Sequence, residues 1–209
     1  MFYPVYLNLK GRRVVVVGGG EVAERKVESL LESEACITVV SPEVTRSLNV
    51  LADQNQIEWH HRKYMNGDCA GAALVFSATD DPEINRAVYA EATALGIFVN
   101  TADQPALCSF IMPAVVRRGD IGIAISTSGS SPALAARLRR KISRVIGPEY
   151  AQFSQLMVRA RKEIRSRVAS ERGRKELHYR IIDSDIIKLL RSNDREAAER
   201  RLHEMIQNP

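Results

Sequence analysis

The sequence predicts an α/β protein with a parallel sheet and a helical tail, and three patterns support this. A β-branched run at residues 13–17 ends in three glycines and leads into apolar residues at helical spacing over 22–31. Further apolar runs alternate with helical segments as far as residue 100, and such alternation is typical of a parallel sheet covered on both faces. From Ser131 onward the pattern is helical alone.

The other elements of the sheet follow from short apolar runs and the turns that close them. The second strand, at 36–40, ends at Ser41-Pro42, because proline cannot donate to a strand ladder. Asp81 is a suitable N-cap and is followed by proline, so a helix is predicted over 82–95. The remaining predicted strands lie at 57–60, 73–77 and 97–100.

The chain changes character after residue 110. Two strand-like runs, at 110–117 and 120–126, are joined by a tight turn at Arg118-Gly119 and predict a hairpin. Ser131 is a good N-cap with Pro132 in the first helical position, and Gly147-Pro148 ends that helix. These changes predict three domains, at 1–112, 113–148 and 149–209.

Composition and charge narrow the class of protein. With 209 residues, 45% of them hydrophobic, the chain is long enough for one α/β domain and a smaller appendage. It has no apolar stretch of membrane-spanning length and begins without the basic and apolar segments of a signal peptide, so we expect no membrane partner and a cytoplasmic location. The net charge of +5 suggests an anionic partner, but the basic tail also carries Glu and Asp and few aromatic residues, which disfavours nucleic acid.

Neither the cysteines nor the histidines form a metal-binding pattern. Cys36, Cys69 and Cys108 are odd in number and far apart, which fits neither a disulfide framework nor a structural zinc site. His60 and His61 are adjacent on a predicted strand and so point to opposite faces. We therefore expect no metal in the resting protein.

The glycine-rich turn after the first strand predicts a dinucleotide-binding loop of the Rossmann type. Gly18 permits the tight turn, Gly20 lets a pyrophosphate approach the backbone, and the small Ala23 allows close packing of helix on strand. The helix start at Glu21 and Val22 supplies N–H groups and the positive end of the helix dipole. The alternative is the same turn with no ligand.

The end of the second strand favours NAD over NADP. Dinucleotide-binding domains usually carry an acidic residue there, which binds the adenine ribose hydroxyls. Here Ser41 and Pro42 hold the position with Glu43 just beyond, so the contact falls to the Ser41 hydroxyl or to Glu43. Between the second strand and Arg46 no basic residue is available to receive a 2′-phosphate. Thr79, at the end of the fourth strand, is a further expected cofactor contact.

Several separated blocks of the sequence resemble one known family. They are residues 16–26 around the glycine loop, Ser77-Ala78-Thr79-Asp80-Asp81, residues 100–103, Ser109-Phe110-Ile111-Met112-Pro113, and residues 126–132. In order and without large gaps, these blocks resemble the precorrin-2 dehydrogenase family, the dehydrogenase and ferrochelatase module of siroheme synthase. Beyond Tyr150 the chain resembles that family only in being helical.

The resemblance implies an activity, a cofactor and an assembly. Members of the family oxidise precorrin-2, an acidic tetrapyrrole, to sirohydrochlorin with NAD, and some also insert ferrous iron to give siroheme; the resemblance leaves iron insertion open. They are typically homodimers with an NAD-binding domain, a central dimerisation region and a helical tail, which correspond here to 1–112, 113–148 and 149–209. The rival hypothesis is a regulatory module that senses NAD without catalysis, and it leaves the blocks after residue 100 unexplained.

Asp103 matches the aspartate that the family uses in catalysis. It follows the fifth predicted strand, and ligands of open parallel sheets bind beyond the carboxyl ends of the strands. A carboxylate there can accept the proton that leaves the macrocycle along with the hydride. From the residues alone, Asp103 can also be a loop aspartate that forms an Asx turn before Gln104-Pro105.

The resemblance places the tetrapyrrole near a run of small hydroxyl residues that includes Ser126, Thr127 and Ser128. Hydroxyls and backbone N–H groups at the mouth of a helix suit carboxylates, of which the substrate has several. Arg117 and Arg137 are candidates for the same role. A capped loop and a solvated helix face are the alternatives for the serines and the arginines, respectively.

Overall fold

The computed structural model describes residues 2–208, which form two compact units, the first ending at Ile111 and the second beginning at Met112. The strands of the first unit are β1 (Arg13–Val17), β2 (Cys36–Val40), β3 (Glu58–His60), β4 (Leu74–Ser77) and β5 (Phe98–Thr101). Its helices are α1 (Glu21–Leu31), α2 (Arg46–Asp53) and α3 (Pro82–Ala94), with a 3₁₀ turn at Pro105–Leu107. The second unit contains β6 (Ala114–Arg118), β7 (Ile121–Ile125), α4 (Pro132–Val145), α5 (Glu149–Arg167), α6 (Glu171–Ile182), α7 (Ile186–Arg191) and α8 (Arg195–Gln207).

The first five strands form one parallel sheet in the order β3-β2-β1-β4-β5. This confirms the predicted α/β, Rossmann-type class, and the helices of the second unit confirm the helical C-terminal part. From β3 at one edge the chain returns to β4 beside β1, so the strand order reverses between β1 and β4. Sheets of this kind bind ligands at that switch point, beyond the carboxyl ends of the strands.

The valines of β1 explain why this strand can lie at the centre of the sheet. Val14 and Val16 belong to the apolar core on the α1 side, whereas Val15 and Val17 belong to the core on the α3 side. All four are at most 2% exposed. A strand that is covered on both faces needs such an unbroken apolar run, and this is why the sequence predicted it residue for residue.

Helix α2 was not predicted. It is only eight residues long, and of these only Leu48 is buried. Its start is nevertheless defined, because the Thr45 hydroxyl accepts a hydrogen bond from the Leu48 N–H at 3.3 Å.

The hairpin of the second unit is present, with its turn one residue later than predicted. Arg118 pairs with Ile121 across the antiparallel ladder, so Gly119 and Asp120 form the turn. Gly119 has φ +58°, a left-handed conformation that glycine adopts at no steric cost. Its backbone lies close to Ala151 of α5, where an added Cβ would come within 3.3 Å of the Ala151 Cβ.

Helices α5 to α8 of the second unit share an apolar core that includes Phe153, Leu156, Ile181 and Leu202. Ser131 caps α4 as predicted, since its hydroxyl accepts from the Leu134 N–H at 3.2 Å. None of the helices within residues 2–208 has both the length and the apolar character needed to span a membrane.

An ion pair holds the loop between β3 and β4 in the first unit. The Arg62 Nη2 and Nη1 atoms donate to Asp68 Oδ1 at 2.6 Å and Oδ2 at 2.8 Å, and the Met65 N–H donates to Oδ2 at 2.8 Å. The hydrogen bond from Arg62 holds the pKa of the Asp68 carboxyl below its ordinary value, against burial, which raises it, and with help from the Met65 N–H. Asp68 is only 8% exposed, so its carboxylate is shielded from solvent, although the Arg62 side chain is 35% exposed.

We expect Asp68→Asn to lower the free energy of unfolding at pH 7 by about 2 kcal/mol, because three charge-assisted hydrogen bonds lose their carboxylate. Since the folded pKa lies below the unfolded one, the carboxylate stabilises the protein fully above the unfolded pKa of about 3.9 and loses this effect as the pH falls through the folded value. The difference between variant and wild type should therefore shrink in acid, as measured by urea unfolding at a series of pH values.

The exposed pair Lys10–Glu34 provides a matched control, since its atoms are also 2.6 Å apart but Glu34 is 66% exposed. Glu34→Gln should change the free energy of unfolding by less than about 1 kcal/mol. An Asp68→Asn protein as stable as Glu34→Gln at pH 7 would contradict the prediction.

Candidate functional site

The glycine loop between β1 and α1 is closely packed at its first two positions. Gly18 has φ +117°, and a Cβ on it would lie 2.2 Å from the Ala78 carbonyl oxygen. A Cβ on Gly19 would lie 2.0 Å from the Glu43 carbonyl oxygen and 2.8 Å from the Ser41 Oγ. The loop therefore approaches the carboxyl ends of β2 and β4 more closely than any side chain would allow.

Gly20 is different, because the space around it is open. An added Cβ there would meet nothing within 4 Å, and Gly20 is the N-cap of α1 with no side chain bound to the helix start. The N–H groups of Glu21 and Val22, in the first turn, have no carbonyl partner within the helix. The loop is closely packed at Gly18 and Gly19 but open at the start of α1, and this arrangement fits the pyrophosphate of a dinucleotide.

The segment after β2 forms the wall of this loop. Ser41 is 7% exposed, and its hydroxyl donates to the Glu43 carbonyl at 2.6 Å, so its proton is used within the turn. Pro42 and Glu43 are exposed, and Trp59 Nε1 donates to the Ser41 carbonyl at 2.9 Å. Of the predicted ribose contacts, Glu43 is therefore the side chain that stays accessible.

A buried amide, which the sequence analysis missed, positions the segment after β4. Asn85, 2% exposed on α3, accepts from the Ser77 hydroxyl at 2.6 Å and donates to the Thr79 carbonyl at 3.0 Å. β4 ends at Ser77, so Thr79 lies in the connection that follows and not in the strand. Asp81 caps α3 as predicted by accepting from the Glu83 N–H at 2.8 Å.

Asp103 lies at the carboxyl end of β5 with an unusual backbone. Its φ is +56°, in the left-handed region that non-glycine residues seldom adopt, although Asp and Asn adopt it more readily than most. The side chain is exposed, and within residues 2–208 its carboxylate forms no hydrogen bond or ion pair. An Asx turn would use this carboxylate, so the geometry favours an acceptor available to a ligand.

Cys108 closes the loop that carries Asp103. Its Sγ accepts from the Thr101 N–H at 3.2 Å and donates to the carbonyl oxygens of Thr101 at 3.2 Å and Gln104 at 3.3 Å. Asn100, 9% exposed, donates to the Phe110 carbonyl at 3.0 Å. The backbone on both sides of Asp103 is thus fixed.

In the second unit, the hydroxyl-rich turn before α4 largely satisfies its own hydrogen bonds. Thr127 Oγ1 donates to the Ser131 carbonyl at 3.1 Å and accepts from the Ser131 N–H at 3.2 Å, and the Ser126 Oγ accepts from the Ser128 N–H at 2.9 Å. Ser128 is exposed with φ +52°. These bonds support the capped-loop interpretation for Thr127 and Ser131, whereas Ser126 and Ser128 are both exposed.

The basic residues of this unit have different roles. Arg117 on β6 and Arg137 on α4 are exposed. Arg118, in contrast, donates to the carbonyl oxygens of Ile146 at 2.9 Å and Ser143 at 3.3 Å, so it caps the C-terminal end of α4. Within residues 2–208 no group of three or more His, Cys, Asp or Glu side chains is arranged to hold a metal ion.

Comparison with family models divides the chain into three consecutive matches. A model described as putative NAD(P)-binding matches residues 5–114. The sirohaem biosynthesis protein central model matches 118–144, and the sirohaem synthase dimerisation region matches 149–206. The dimerisation region predicted at 113–148 thus precedes the residues that match the model of this description, 149–206.

Known relatives cover the chain over nearly its whole length. Siroheme synthases of Nitrosomonas europaea and Thioalkalivibrio sulfidiphilus are 36% identical over 208 residues and 37% identical over 206, which is 99% of this chain in each case. The chain spans only 44% and 42% of those proteins. A solved structure described as SirC, precorrin-2 dehydrogenase, matches 100% of both chains with a TM-score of 0.78 and 30% identity.

Proposed function

This chain belongs to the family of precorrin-2 dehydrogenases and the corresponding modules of siroheme synthases, and from this we propose that it oxidises precorrin-2 to sirohydrochlorin with NAD. The observation that carries the proposal is the arrangement of the first unit. The glycine loop and Asp103 follow β1 and β5 at the carboxyl edge of one parallel sheet, beside the point where strand order reverses. A dinucleotide site and a free carboxylate at one edge suit a dehydrogenase better than a module that only senses NAD.

Bound NAD supplies the hydride acceptor, and the residues of this chain bind the cofactor and accept the proton. Gly18 and Gly19 shape the loop, and the N–H groups of Glu21 and Val22 bind the pyrophosphate. The substrate carbon loses a hydride, and a neighbouring position loses a proton, which Asp103 accepts as a general base. The two losses together account for the two hydrogen atoms that the oxidation removes.

NAD is preferred to NADP because of the segment after β2. Glu43 is exposed beside the glycine loop, where it suits the two ribose hydroxyls and would repel a 2′-phosphate. Thr79 completes the cofactor site, and Asn85 fixes its carbonyl in the connection that follows β4.

For the second unit we propose two further roles. Arg117, Arg137 and the Ser126–Ser128 turn contact the carboxylates of precorrin-2, which the basic character of this part of the chain supports. A homodimer is supported by the match of 149–206 to a dimerisation region. A cytoplasmic location stays a prediction of the sequence.

The direct test is turnover. Purified protein with NAD and precorrin-2 should produce sirohydrochlorin and one NADH per molecule, followed by their absorbance. Binding of NAD without turnover would favour the regulatory module instead. Ferrous iron insertion, which the family resemblance leaves open, is tested by adding ferrous iron and sirohydrochlorin with and without the protein.

A further inference from the structure

Helix α1 carries one cation that does not face freely into solvent. Lys26 is half-buried, and its Nζ lies 5.7 Å from the centroid of the Phe76 ring of β4. This distance is typical of a cation–π contact. Phe110 packs edge-on against the same ring, at 5.5 Å and 79°, and so fixes its orientation.

The ammonium lies towards the β4 and β5 side of the first unit. The pKa of Lys26 lies below its ordinary value, chiefly because burial disfavours the charged ammonium. Cys108 and Asp103 oppose this shift, whereas Arg25 adds to it. Cys108 and Asp103 both lie in the loop after β5, so this loop is close enough to act on Lys26. Within residues 2–208, however, Lys26 forms no ion pair.

A partly desolvated ammonium without a carboxylate partner is costly, so a function is worth seeking. A dinucleotide in this fold places its pyrophosphate at the start of α1 and its adenine ribose at the end of β2. Its nicotinamide half must then extend to the other side, over the ends of β4 and β5. On that side Lys26 contacts Phe76 and interacts electrostatically with Asp103.

We propose that the Lys26 ammonium biases the bound cofactor towards its reduced form. The nicotinamide ring of NAD⁺ carries a positive charge, which disappears when the ring accepts a hydride. A fixed positive charge nearby therefore disfavours the oxidised cofactor relative to the reduced one. Lys26 is in this sense a positioning charge for hydride transfer, and the idea rests on the proposed use of NAD.

The test compares the dissociation constants of NAD⁺ and NADH by titration calorimetry, without precorrin-2. Lys26→Met should bind NAD⁺ more tightly relative to NADH by about fivefold, because a Coulomb interaction at partly screened range is removed. Lys26→Gln, a second neutral variant, should shift the ratio in the same direction.

Two control variants test whether the effect depends on the positive charge at position 26. Lys26→Arg preserves the positive charge and should leave the ratio of the two constants near that of the wild type. Arg25→Met removes an exposed charge from the adjacent position of α1 and should also leave it unchanged.

The outcomes separate this inference from the proposed function. If wild type binds both cofactor forms but the neutral Lys26 variants keep the wild-type ratio, or weaken both forms equally, the inference is overturned and the dehydrogenase assignment stands. A wild-type protein that binds neither form overturns the proposed function, and the inference with it.

Discussion

An Asp103→Asn variant is expected to bind NAD as the wild type does and to oxidise precorrin-2 about 1,000 times more slowly. The reason is that a general base contributes on the order of 10²- to 10⁴-fold, and an amide cannot accept the proton. Asparagine also tolerates the φ of +56° at this position, so the loop should keep its shape. Single-turnover formation of NADH, together with a separate NAD titration, measures both quantities.

Asp103→Ala would be harder to interpret, because alanine tolerates the left-handed conformation less well and adds strain to the loss of the carboxylate. Asp80→Asn is a suitable control, since Asp80 is another exposed aspartate after a strand of the same sheet. Normal turnover by Asp103→Asn would remove Asp103 from the mechanism. Equal loss in both variants would indicate a general effect of charge.

Gly19→Ala is expected to have a similarly large effect, this time on folding and cofactor binding together. The new Cβ would lie 2.0 Å from the Glu43 carbonyl oxygen, which is backbone and cannot simply rotate away. We expect a loss of about 3 kcal/mol in the free energy of unfolding, because the wall of the loop must shift. NAD affinity should fall by at least about tenfold for the same reason.

Gly20→Ala is the matched control, one position further along. Its backbone has φ −80° and an added Cβ meets nothing within 4 Å, so the protein should lose no more than about 1 kcal/mol of stability, the cost of alanine at an N-cap. Thermal unfolding of the two variants side by side makes the comparison. Equal stability of Gly19→Ala and Gly20→Ala would show that the loop relaxes more easily than the distances indicate.

The sheet could be predicted because its sequence signals are local. The valine run of β1, the proline after β2 and the Asp81 cap each act through their own backbone, and each lies where it was expected. The hairpin turn was displaced by one residue, because Gly119 can occupy either position of a two-residue turn and only cross-strand pairing decides between them.

The missed features all depend on residues distant in sequence. Gly19 was not distinguished from its neighbours, since its constraint comes from the Glu43 carbonyl on another segment. Asn85 resembles any polar residue on a helix until the turn after β4 folds against it. Lysine on a helix is usually exposed, and only the contact with Phe76 shows that the charge of Lys26 is half-buried.

Trp59 gives this protein a built-in optical reporter. It is the single tryptophan of the chain, its ring is stacked on His61 at 4.5 Å, and its indole N–H is bonded to the Ser41 carbonyl at 2.9 Å. Reduced nicotinamide absorbs light at the wavelengths where indole emits, so binding of NADH should quench the emission from this one position. The fluorescence of an unlabelled sample can then follow the binding of NADH in real time.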